Sequence, residues 1–134
     1  MLILDTSAVL AYLYGEPGQD VVRRLLREAV DRRGMVRLHR IHLGEVYYVM
    51  YRKGGEAVAE AALRDVVRLP VRVEDRISPA LMREAGRVKA SYPVSYADAF
   101  AVALARIREG TLVSSDRELQ RLEAAREVPV LWIR

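Results

Sequence analysis

Five short apolar runs, separated by longer segments with helical patterns, limit what this chain can fold into. They are Leu2–Leu4, Met35–Leu38, Val71–Val73, Thr111–Ser114 and Val130–Ile133. Apolar runs of this length are too short for buried helices and are typical of strands that are covered on both faces. Strands that alternate with helices form βαβ units. The sequence therefore predicts an α/β fold with three layers, α/β/α, around a five-stranded parallel sheet.

The segments between these runs carry residues that start and stop helices. Helices are predicted over residues 7–14, 19–33, 42–52, 56–69, 79–91, 97–108 and 116–125. Ser78 and Pro79 form a typical helix start, an N-cap followed by proline. Ser95 and Asp98 have the spacing of a capping box, with aspartate in place of the commoner glutamate. No repeat or linker interrupts the 134 residues, which predicts a single domain over residues 1–134.

The composition excludes several classes of protein. The chain has no cysteine, which excludes disulfides, thiolate metal sites and cysteine nucleophiles. It has neither the basic start and apolar stretch of a signal peptide nor an apolar run long enough to cross a membrane. We therefore expect a cytoplasmic protein without a membrane partner. The net charge of +4 favours a polyanionic partner.

Four acidic residues lie where predicted strands end or predicted helices begin. Asp5 and Asp116 follow the first and fourth strands, whereas Glu45 and Asp98 lie near the starts of two helices. Ligands of parallel α/β sheets gather at the carboxyl ends of the strands, so these carboxylates are expected to converge. Each also has a structural explanation. The three aspartates could cap helices, and Glu45 could be a half-buried partner of an arginine.

Clustered carboxylates repel one another unless some stay protonated or a cation lies between them. Carboxylate oxygens are the ligands that Mg²⁺ and Mn²⁺ prefer, and Mg²⁺ commonly binds substrate phosphate as well. Such a metal ion activates water and neutralises phosphate charge. A basic protein with this site is therefore predicted to hydrolyse phosphodiesters.

Other kinds of site fit the sequence less well. His39 and His42 lack a third nitrogen or sulfur ligand nearby, which disfavours zinc, and we expect them to form a partly exposed pair at a strand-to-helix junction. The chain has no glycine-rich loop for binding nucleotide phosphates. Ser7 is not part of a G-x-S-x-G motif, so it is not expected to act as a nucleophile.

Four segments around the acids resemble the PIN-domain ribonucleases, and specifically the small VapC-type toxins of toxin–antitoxin pairs. The segments are Leu2–Leu10 continuing to Pro17, His42–Val46, Ser95–Ala105 and Leu112–Leu119. Their order and spacing agree with the family over nearly the whole chain. The first and third segments are the most specific.

The resemblance implies a PIN-like domain that acts as an endoribonuclease through a carboxylate-bound Mg²⁺ or Mn²⁺ ion. It implies Asp5, Glu45, Asp98 and Asp116 as the catalytic acids. Asp5, Asp98 and Asp116 would be the main metal ligands, directly or through water. Glu45 would complete the site or orient a water molecule.

Supporting residues and partners also follow from the resemblance. Thr6 and Ser114 are implied as supporting residues. Ser114 lies two positions before Asp116, where the family often has threonine, and its hydroxyl would steady that carboxylate or contact phosphate. The family further implies RNA as substrate, a homodimer, and a small antitoxin protein whose tail reaches toward the active site.

Basic and aromatic side chains indicate where partners would bind. The arginines of the helix over residues 19–33 are expected to form a solvated face, whereas those nearer the predicted site are the better phosphate contacts. The expected RNA contacts are Arg37, Arg40 and Arg52. Tyr47, Tyr48 and Tyr51 make the helix over residues 42–52 apolar nearly all round. This pattern predicts burial on several sides, in the core or in an interface.

Three alternatives compete with an active ribonuclease. A PIN-like domain could bind RNA or a protein without cleaving, although the presence of all four acids argues against this. A receiver-like phosphotransfer domain would carry its acceptor aspartate after the third strand, where this chain has Glu74, Asp75 and Arg76. A DNA nuclease would use the same carboxylate chemistry, because only contacts to the 2′-OH distinguish RNA from DNA.

Overall fold

Residues 1–134 are described by a computed structural model, in which five strands form one sheet. The strands are β1 (Leu2–Leu4), β2 (Val36–His39), β3 (Arg72–Glu74), β4 (Thr111–Ser114) and β5 (Val130–Trp132). Their order across the sheet is β3-β2-β1-β4-β5, and every neighbouring pair is parallel. The predicted five-stranded parallel sheet is therefore confirmed.

Seven α-helices and one 3₁₀ turn connect the strands. They are α1 (Thr6–Tyr14), α2 (Gln19–Ala29), α3 (Arg40–Gly54), α4 (Glu56–Val67), α5 (Pro79–Ser91), α6 (Tyr96–Ile107) and α7 (Gln120–Ala124), with the 3₁₀ turn at Arg117–Leu119. Helices α1 to α4 and helices α5 to α7 pack around separate buried clusters, one on each face of the sheet. This arrangement confirms the three-layer α/β/α architecture. None of these helices is both long enough and apolar enough to cross a membrane.

Alternation along the strands divides the core between the two faces. Leu4 and Val113 belong to the cluster under α1–α4, whereas Ile3 and Leu112, one residue earlier on each strand, belong to the cluster under α5–α7. Successive side chains of a strand point to opposite faces, so three or four apolar residues in a row serve both cores. For this reason the short apolar runs identified the strands correctly.

Helix α6 is buried along most of its length. All seven residues from Ala99 to Ala105 are buried, and four of them are alanine. Small side chains allow the helix to pack closely against its neighbours, since protein interiors leave few voids. This packing fixes the position of the first turn of α6, which carries Asp98.

The carboxyl ends of the strands meet at one edge of the sheet because all the strands are parallel. The last strand residues there are Leu4, His39, Glu74, Ser114 and Trp132. Helices α1 and α3 begin directly at this carboxyl edge, since Asp5 and His39 are their N-caps. The predicted acids are therefore expected at this carboxyl edge.

Helix α2 ends four residues earlier than the predicted helix over residues 19–33. It ends at Ala29, and Val30, which helical spacing placed on the apolar face, is 65% exposed. The polar stretch that follows forms turns, in which the backbone N–H of Arg32 donates to the Ala29 carbonyl. These charged residues make no core contact that would stabilise a further helical turn.

The tyrosines of α3 are not buried in the core of the chain, so only burial in an interface stays a prediction. Tyr48 and Tyr51 are 47% and 49% exposed, and Tyr47 is half-buried with its hydroxyl donating to Glu60. The buried face of α3 carries aliphatic residues such as Val46 instead. Counting tyrosine as apolar overstates burial, because its ring can pack while its hydroxyl stays in water.

Smaller differences concern the ends of elements. Strands β2 and β3 each begin one residue later than predicted, and the predicted helix over residues 116–125 divides into the 3₁₀ turn and α7. Such ends depend on individual backbone hydrogen bonds rather than on the hydrophobic pattern. Met35, for example, is held in a turn because its N–H donates to the Arg32 carbonyl.

Gly18 is expected to be necessary for stability because it brings the start of α2 against the end of the chain. Its φ is +101°, and a Cβ atom would lie 2.7 Å from Ile133 Cγ1 and 2.8 Å from the Ile133 carbonyl oxygen. Gly18→Ala should therefore lower the free energy of unfolding, measured by urea denaturation, by about 1–3 kcal/mol. Gly86→Ala is the control, because a Cβ atom there meets nothing within 4 Å. It should be neutral or slightly stabilising, and equal stability of the two variants would contradict the prediction.

Candidate active site

Asp5 lies at the centre of the carboxyl edge and is almost completely buried, with 3% of the residue exposed. Its Oδ1 atom accepts hydrogen bonds from Ala8 N at 3.0 Å and from Ser7 Oγ at 2.6 Å, and its Oδ2 atom accepts one from Ser114 Oγ. Burial raises the pKa of Asp5, and the hydrogen bonds from Ser114, Ser7 and Ala8 oppose this rise. Asp5 is therefore both the N-cap of α1 and a carboxylate held in one orientation by three donors.

Two serines connect the end of β4 to Asp5. Ser114 Oγ, which donates to Asp5, accepts from the backbone N–H of Asp116 at 2.9 Å, and Ser7 Oγ accepts from the backbone N–H of Ser115 at 3.0 Å. The turn after β4 is thus bonded to the first carboxylate at two points. Ser114 was expected to steady the Asp116 carboxylate or to contact phosphate, but it bonds to the Asp5 carboxylate and to the Asp116 backbone instead. Ser7 commits its hydroxyl proton to Asp5, a contact that no sequence motif indicated.

Asp98 lies in the first turn of α6, within electrostatic reach of the other acids. Its backbone N–H donates to Ser95 Oγ at 3.0 Å, but its carboxylate makes no return bond, so only half of the predicted capping box forms. Burial raises the pKa of Asp98 to about 7. The negative charges of Asp116, Asp5 and Glu45 add to this rise, and the Ser95 hydrogen bond opposes it. None of the salt bridges of the protein includes this carboxylate.

Asp98, Asp116 and Glu118 form a group that could hold a metal ion. One carboxylate oxygen from each lies within 4.8 Å of the others. Asp116 Oδ1 also accepts from the backbone N–H of Glu118 at 3.0 Å, so Asp116 caps the 3₁₀ turn. Sequence reasoning missed Glu118, although an acid two residues after Asp116 in a tight turn was a usable signal. Asp5, expected as a main metal ligand, is not part of this group, but its charge reaches Asp98.

Glu45 lies in the second turn of α3 and is held by Thr6. Thr6 Oγ1 donates a hydrogen bond to Glu45 Oε1 at 2.5 Å. The other carboxylate oxygen, Oε2, takes no part in this hydrogen bond. The partner of Glu45 is thus a threonine hydroxyl rather than the arginine considered from the sequence. The contact joins the first residue of α1 to α3, and the Glu45 charge reaches Asp98.

His42 connects α3 to the start of α6. It is 1% exposed, and its Nε2 atom lies 2.8 Å from the Ala97 carbonyl oxygen. A carbonyl can only accept, so Nε2 carries the proton, and the buried Nδ1 atom has no partner. Burial lowers the pKa of His42, while the Ala97 bond and the charges of Glu45 and Asp5 oppose the shift. A neutral ring therefore holds the backbone next to Asp98.

His39 is also buried, so the expectation of a partly exposed histidine pair is wrong. It is 1% exposed, its Nδ1 atom accepts from the Ile41 backbone N–H at 3.1 Å, and its Nε2 atom lies 3.0 Å from the Arg76 carbonyl oxygen. The ring thus joins β2, α3 and the segment after β3. The strand-to-helix junction looked exposed in the sequence, but its backbone groups satisfy both ring nitrogens and permit burial.

The three arginines expected to contact RNA lie in different places. The Arg37 side chain is only 13% exposed and pairs with Glu74 at 2.6 Å. Arg52, in the last turn of α3, stacks over a tyrosine ring of the same helix at 5.2 Å. Arg40 begins α3 at the carboxyl edge, where it is 61% exposed and paired with Asp75. Of the three, only Arg40 is placed at the edge that carries the acids.

None of the four predicted acids lines the five principal cavities of the protein, whereas Glu118 lines one of about 360 Å³. A cavity of about 470 Å³ lies beside β3, where Arg37, Arg72 and Arg108 contribute to its lining, and it contains none of the four predicted acids. The other principal cavities contain none of them either. Small molecules usually bind in such concavities.

The carboxylates fit a hard divalent cation. All the donor atoms are carboxylate oxygens, which Mg²⁺ and Mn²⁺ bind in preference to nitrogen or sulfur. The pKa of Asp98 is raised first by burial and then by the negative charges of Asp116, Asp5 and Glu45. A bound cation would relieve that repulsion and favour the ionised form.

The chain matches the family model of the PIN domain over residues 2–125. The match includes all four acids predicted from the sequence, Asp5, Glu45, Asp98 and Asp116. No curated protein matches the chain.

Several solved structures have a similar fold. VapBC2 from Rickettsia felis, bound to a DNA fragment from its promoter, has a TM-score of 0.77 at 14% identity, and the match covers 98% of this chain and 97% of that chain. VapC20 from Mycobacterium tuberculosis, a sarcin-ricin loop cleaving toxin, has a TM-score of 0.68 at 23% identity, with 91% and 95% covered. FitAcB from Neisseria gonorrhoeae has a TM-score of 0.72 at 17% identity, with 98% and 96% covered. At these identities the likeness shows a shared fold.

Asp98 is expected to make the stability of the metal-free protein fall as the pH rises. The unfolded chain ionises this group near its ordinary pKa of 3.8, whereas the folded protein keeps the proton until about pH 7. Between these values the folded state binds more protons, so its stability decreases with pH. Asp98→Asn should therefore raise the melting temperature by several degrees more at pH 8 than at pH 5.

The control for this measurement is Asp20→Asn, which changes an exposed acid in the first turn of α2. Its effect on the melting temperature should be the same at both pH values. Mg²⁺ or Mn²⁺ should stabilise the wild type more at pH 8 than at pH 5, and Asp98→Asn less than the wild type. A pH-independent effect of Asp98→Asn would contradict the prediction.

Proposed function

Because the chain belongs to the PIN-domain family, we propose that it is a metal-dependent endoribonuclease and the toxin of a toxin–antitoxin pair. PIN domains are generally nucleases and typically use a divalent metal ion. Under this proposal residues 1–134 form one domain that acts on RNA in the cytoplasm. The site, the net charge and the structural relatives support RNA as the substrate, Mg²⁺ or Mn²⁺ as the metal ion and an antitoxin as a partner.

The observation that carries the proposal is the convergence of acids from four parts of the chain. Asp5 follows β1, Glu45 lies on α3, Asp98 begins α6 and Asp116 follows β4. The charges of the other three all raise the pKa of Asp98, so all lie within electrostatic reach of it. A fold gains no stability from collecting like charges. The arrangement is explained by a cation that the charges hold.

The residues divide into those that would hold the metal ion and those that position them. Asp98, Asp116 and Glu118 would supply oxygens to the ion, because their carboxylates already lie within 4.8 Å of one another. Asp5 would contribute charge and, through Ser114, orient the turn that carries Asp116. When bound, the metal ion would lower the pKa of a water molecule and neutralise charge on the phosphate.

Glu45 is suited to a proton-transfer role in the same reaction. The Thr6 hydroxyl holds Oε1 at 2.5 Å and so orients the carboxylate. Oε2 can then accept a proton from the water that attacks the phosphodiester, as a general base must. Thr6 is itself the first residue after Asp5, so one turn of backbone positions both acids.

Three features support RNA as the substrate. The net charge of +4 attracts a polyanion. None of the four predicted acids lines the five principal cavities, in which a small molecule would be expected to bind. One structural relative, VapC20 from Mycobacterium tuberculosis, is a toxin that cleaves the sarcin-ricin loop.

An antitoxin and a second copy of the chain are the proposed protein partners. VapBC2 and a toxin–antitoxin complex from Klebsiella pneumoniae are among the structural relatives. In this chain α3 exposes about half of Tyr48 and Tyr51, a surface that a protein partner would cover. Aromatic side chains of this kind are enriched at protein interfaces.

Metal-dependent cleavage of RNA is the direct test of the catalytic proposal. Purified protein should cleave single-stranded or structured RNA with Mg²⁺ or Mn²⁺ but not with EDTA, as read from end-labelled substrates on gels. Asp5→Asn, Asp98→Asn and Asp116→Asn should each reduce the rate at least about 100-fold, because each removes a charge from the cluster. Glu118→Gln should weaken the apparent metal affinity.

Asp20→Asn again serves as the matched control, since it removes an exposed acid that pairs with Arg23 and is not part of the acid cluster, so it should leave the rate unchanged. The three inactive variants must keep the helical circular dichroism of the wild type. If folded, antitoxin-free protein binds metal but cleaves no RNA, the module that binds without cleaving becomes the better description. Cleavage of DNA alone would instead identify a DNA nuclease.

Expression in bacteria tests the toxin proposal separately. The wild-type chain should arrest growth, and Asp98→Asn should relieve the arrest because it removes an acid of the cluster. Coexpression of a short reading frame adjacent to the gene should also restore growth, and its product should co-purify with the chain. Growth arrest that persists in Asp98→Asn would show that toxicity does not come from cleavage.

Sedimentation of the purified chain as a monomer would exclude the proposed homodimer.

A further inference from the structure

Tyr96 is an exposed aromatic side chain at the start of the helix that carries Asp98. Tyr96 is the first residue of α6. It is 52% exposed, which is high for an aromatic side chain. Side chains in the first turn of a helix lean toward the N-terminal end, so Tyr96 and Asp98 both project toward the carboxyl edge of the sheet. They are two residues apart, about 3 Å along the helix axis.

Tyr96 rests on a rigid support. Its ring centroid lies 4.9 Å from that of Phe100, one turn further along α6, at an interplanar angle of 48°. Phe100 is 7% exposed and in turn lies 6.5 Å from the ring of His39. Hydrogen bonds to Ile41 and Arg76 fix both nitrogens of His39. One side of the Tyr96 ring is therefore supported by the protein, and the rest is open to solvent.

The two side chains of α6 face different neighbours. Asp98 is coupled to Asp116, Asp5 and Glu45, which belong to the region of β1 and β4. Tyr96 instead packs toward Phe100, and so toward the carboxyl end of β2. A strand whose phosphate lies at the acids therefore has an aromatic surface beside it, on the β2 side of the helix terminus.

We propose that Tyr96 forms a base-binding subsite, on which a nucleobase next to the cleaved phosphodiester stacks. The inference rests on the proposed ribonuclease function and adds the group that positions the strand. Every nucleobase has a flat π-face, so a supported and exposed aromatic ring binds single-stranded nucleic acid with little sequence preference. The hydroxyl of Tyr96 takes no part, since the stacking surface is the ring.

Charges beyond Tyr96 favour a nucleic acid strand over an apolar ligand. Arg76, whose carbonyl accepts the bond from His39, is exposed and forms no salt bridge within the protein. Arg40 also lies at this end of β2 and is 61% exposed. Phosphates on the far side of a stacked base would therefore meet positive charge.

The test compares Tyr96→Ala, Tyr96→Phe and the wild type on single-stranded RNA oligonucleotides. One abasic nucleotide is moved through the positions that flank the cleavage site. Cleavage is measured with Mn²⁺, and binding is measured by fluorescence anisotropy in an Asp116→Asn background, where asparagine can still cap the 3₁₀ turn. Tyr14→Ala is the control, because Tyr14 is similarly exposed at 44% but lies at the far end of α1.

Tyr96→Ala should weaken binding and raise KM at least about fivefold, with a smaller change in kcat, whereas Tyr96→Phe and Tyr14→Ala should resemble the wild type. An abasic nucleotide at one position should weaken binding to the wild type but not further weaken binding to Tyr96→Ala. Unchanged binding by Tyr96→Ala, or equal additional losses at every abasic position, would overturn the subsite. So would a Tyr96→Ala variant that changes only the sedimentation of the protein.

The two measurements separate this inference from the function on which it rests. If the wild type cleaves no RNA but Tyr96→Ala still loses binding in a manner that depends on one base, the subsite stands and the nuclease proposal fails. If the wild type cleaves RNA and Tyr96→Ala cleaves and binds equally well, the nuclease proposal stands and the subsite fails.

Discussion

The hydrogen-bonded carboxylate of Asp5 is the interaction on which the rest of the site depends. Asp5 directly follows the central strand β1. Its carboxylate caps α1 by accepting a hydrogen bond from Ala8 N, and it also accepts hydrogen bonds from the hydroxyls of Ser7 and Ser114. Each of those serines also accepts a backbone N–H from the turn after β4. One buried group therefore sets the relative positions of β1, α1 and the turn that carries Asp116. Without it several buried donors would lack acceptors, which folded proteins rarely tolerate.

The fold keeps several carboxylates close together although their negative charges repel one another. Asp98 is partly buried among Asp116, Asp5 and Glu45, and its pKa rises to about 7 as a result. The close packing of α6, buried from Ala99 onward, keeps the carboxylate in place despite this cost. Sites that bind ions or substrates commonly sacrifice stability in this way, because the ligand restores what the isolated protein lacks. The destabilising arrangement is thus itself evidence that the site has a ligand.

Much of the fold and of the site could be predicted because both depend on patterns along the chain. Short apolar runs identified the strands, and parallel strands require acids at their carboxyl ends to lie near one another. What escaped prediction depends on contacts between distant segments. The burial of His42 needs the Ala97 carbonyl, 55 residues away, and the exposure of Tyr48 depends on what α3 packs against. Glu118 joins Asp98 only through the turn after β4, whose shape the hydrophobic pattern does not specify.

The sequence also posed a choice between structural and functional roles, and in the structure one side chain is placed so that it can serve both. Asp5 and Asp116 each cap a helical turn through one oxygen, and the same bonds orient the carboxylate. Asp98 contributes its backbone N–H to the cap, and its carboxylate pairs with no basic side chain. A helix N-terminus at the end of a parallel strand needs a capping acceptor, and an aspartate there necessarily stands at the edge where ligands bind. In such a fold the residue that starts the helix is already in position to serve the site. A cluster of acids can therefore arise from helix capping on neighbouring strands, and only the charge that remains unpaired, as on Asp98, distinguishes a metal site from a set of caps.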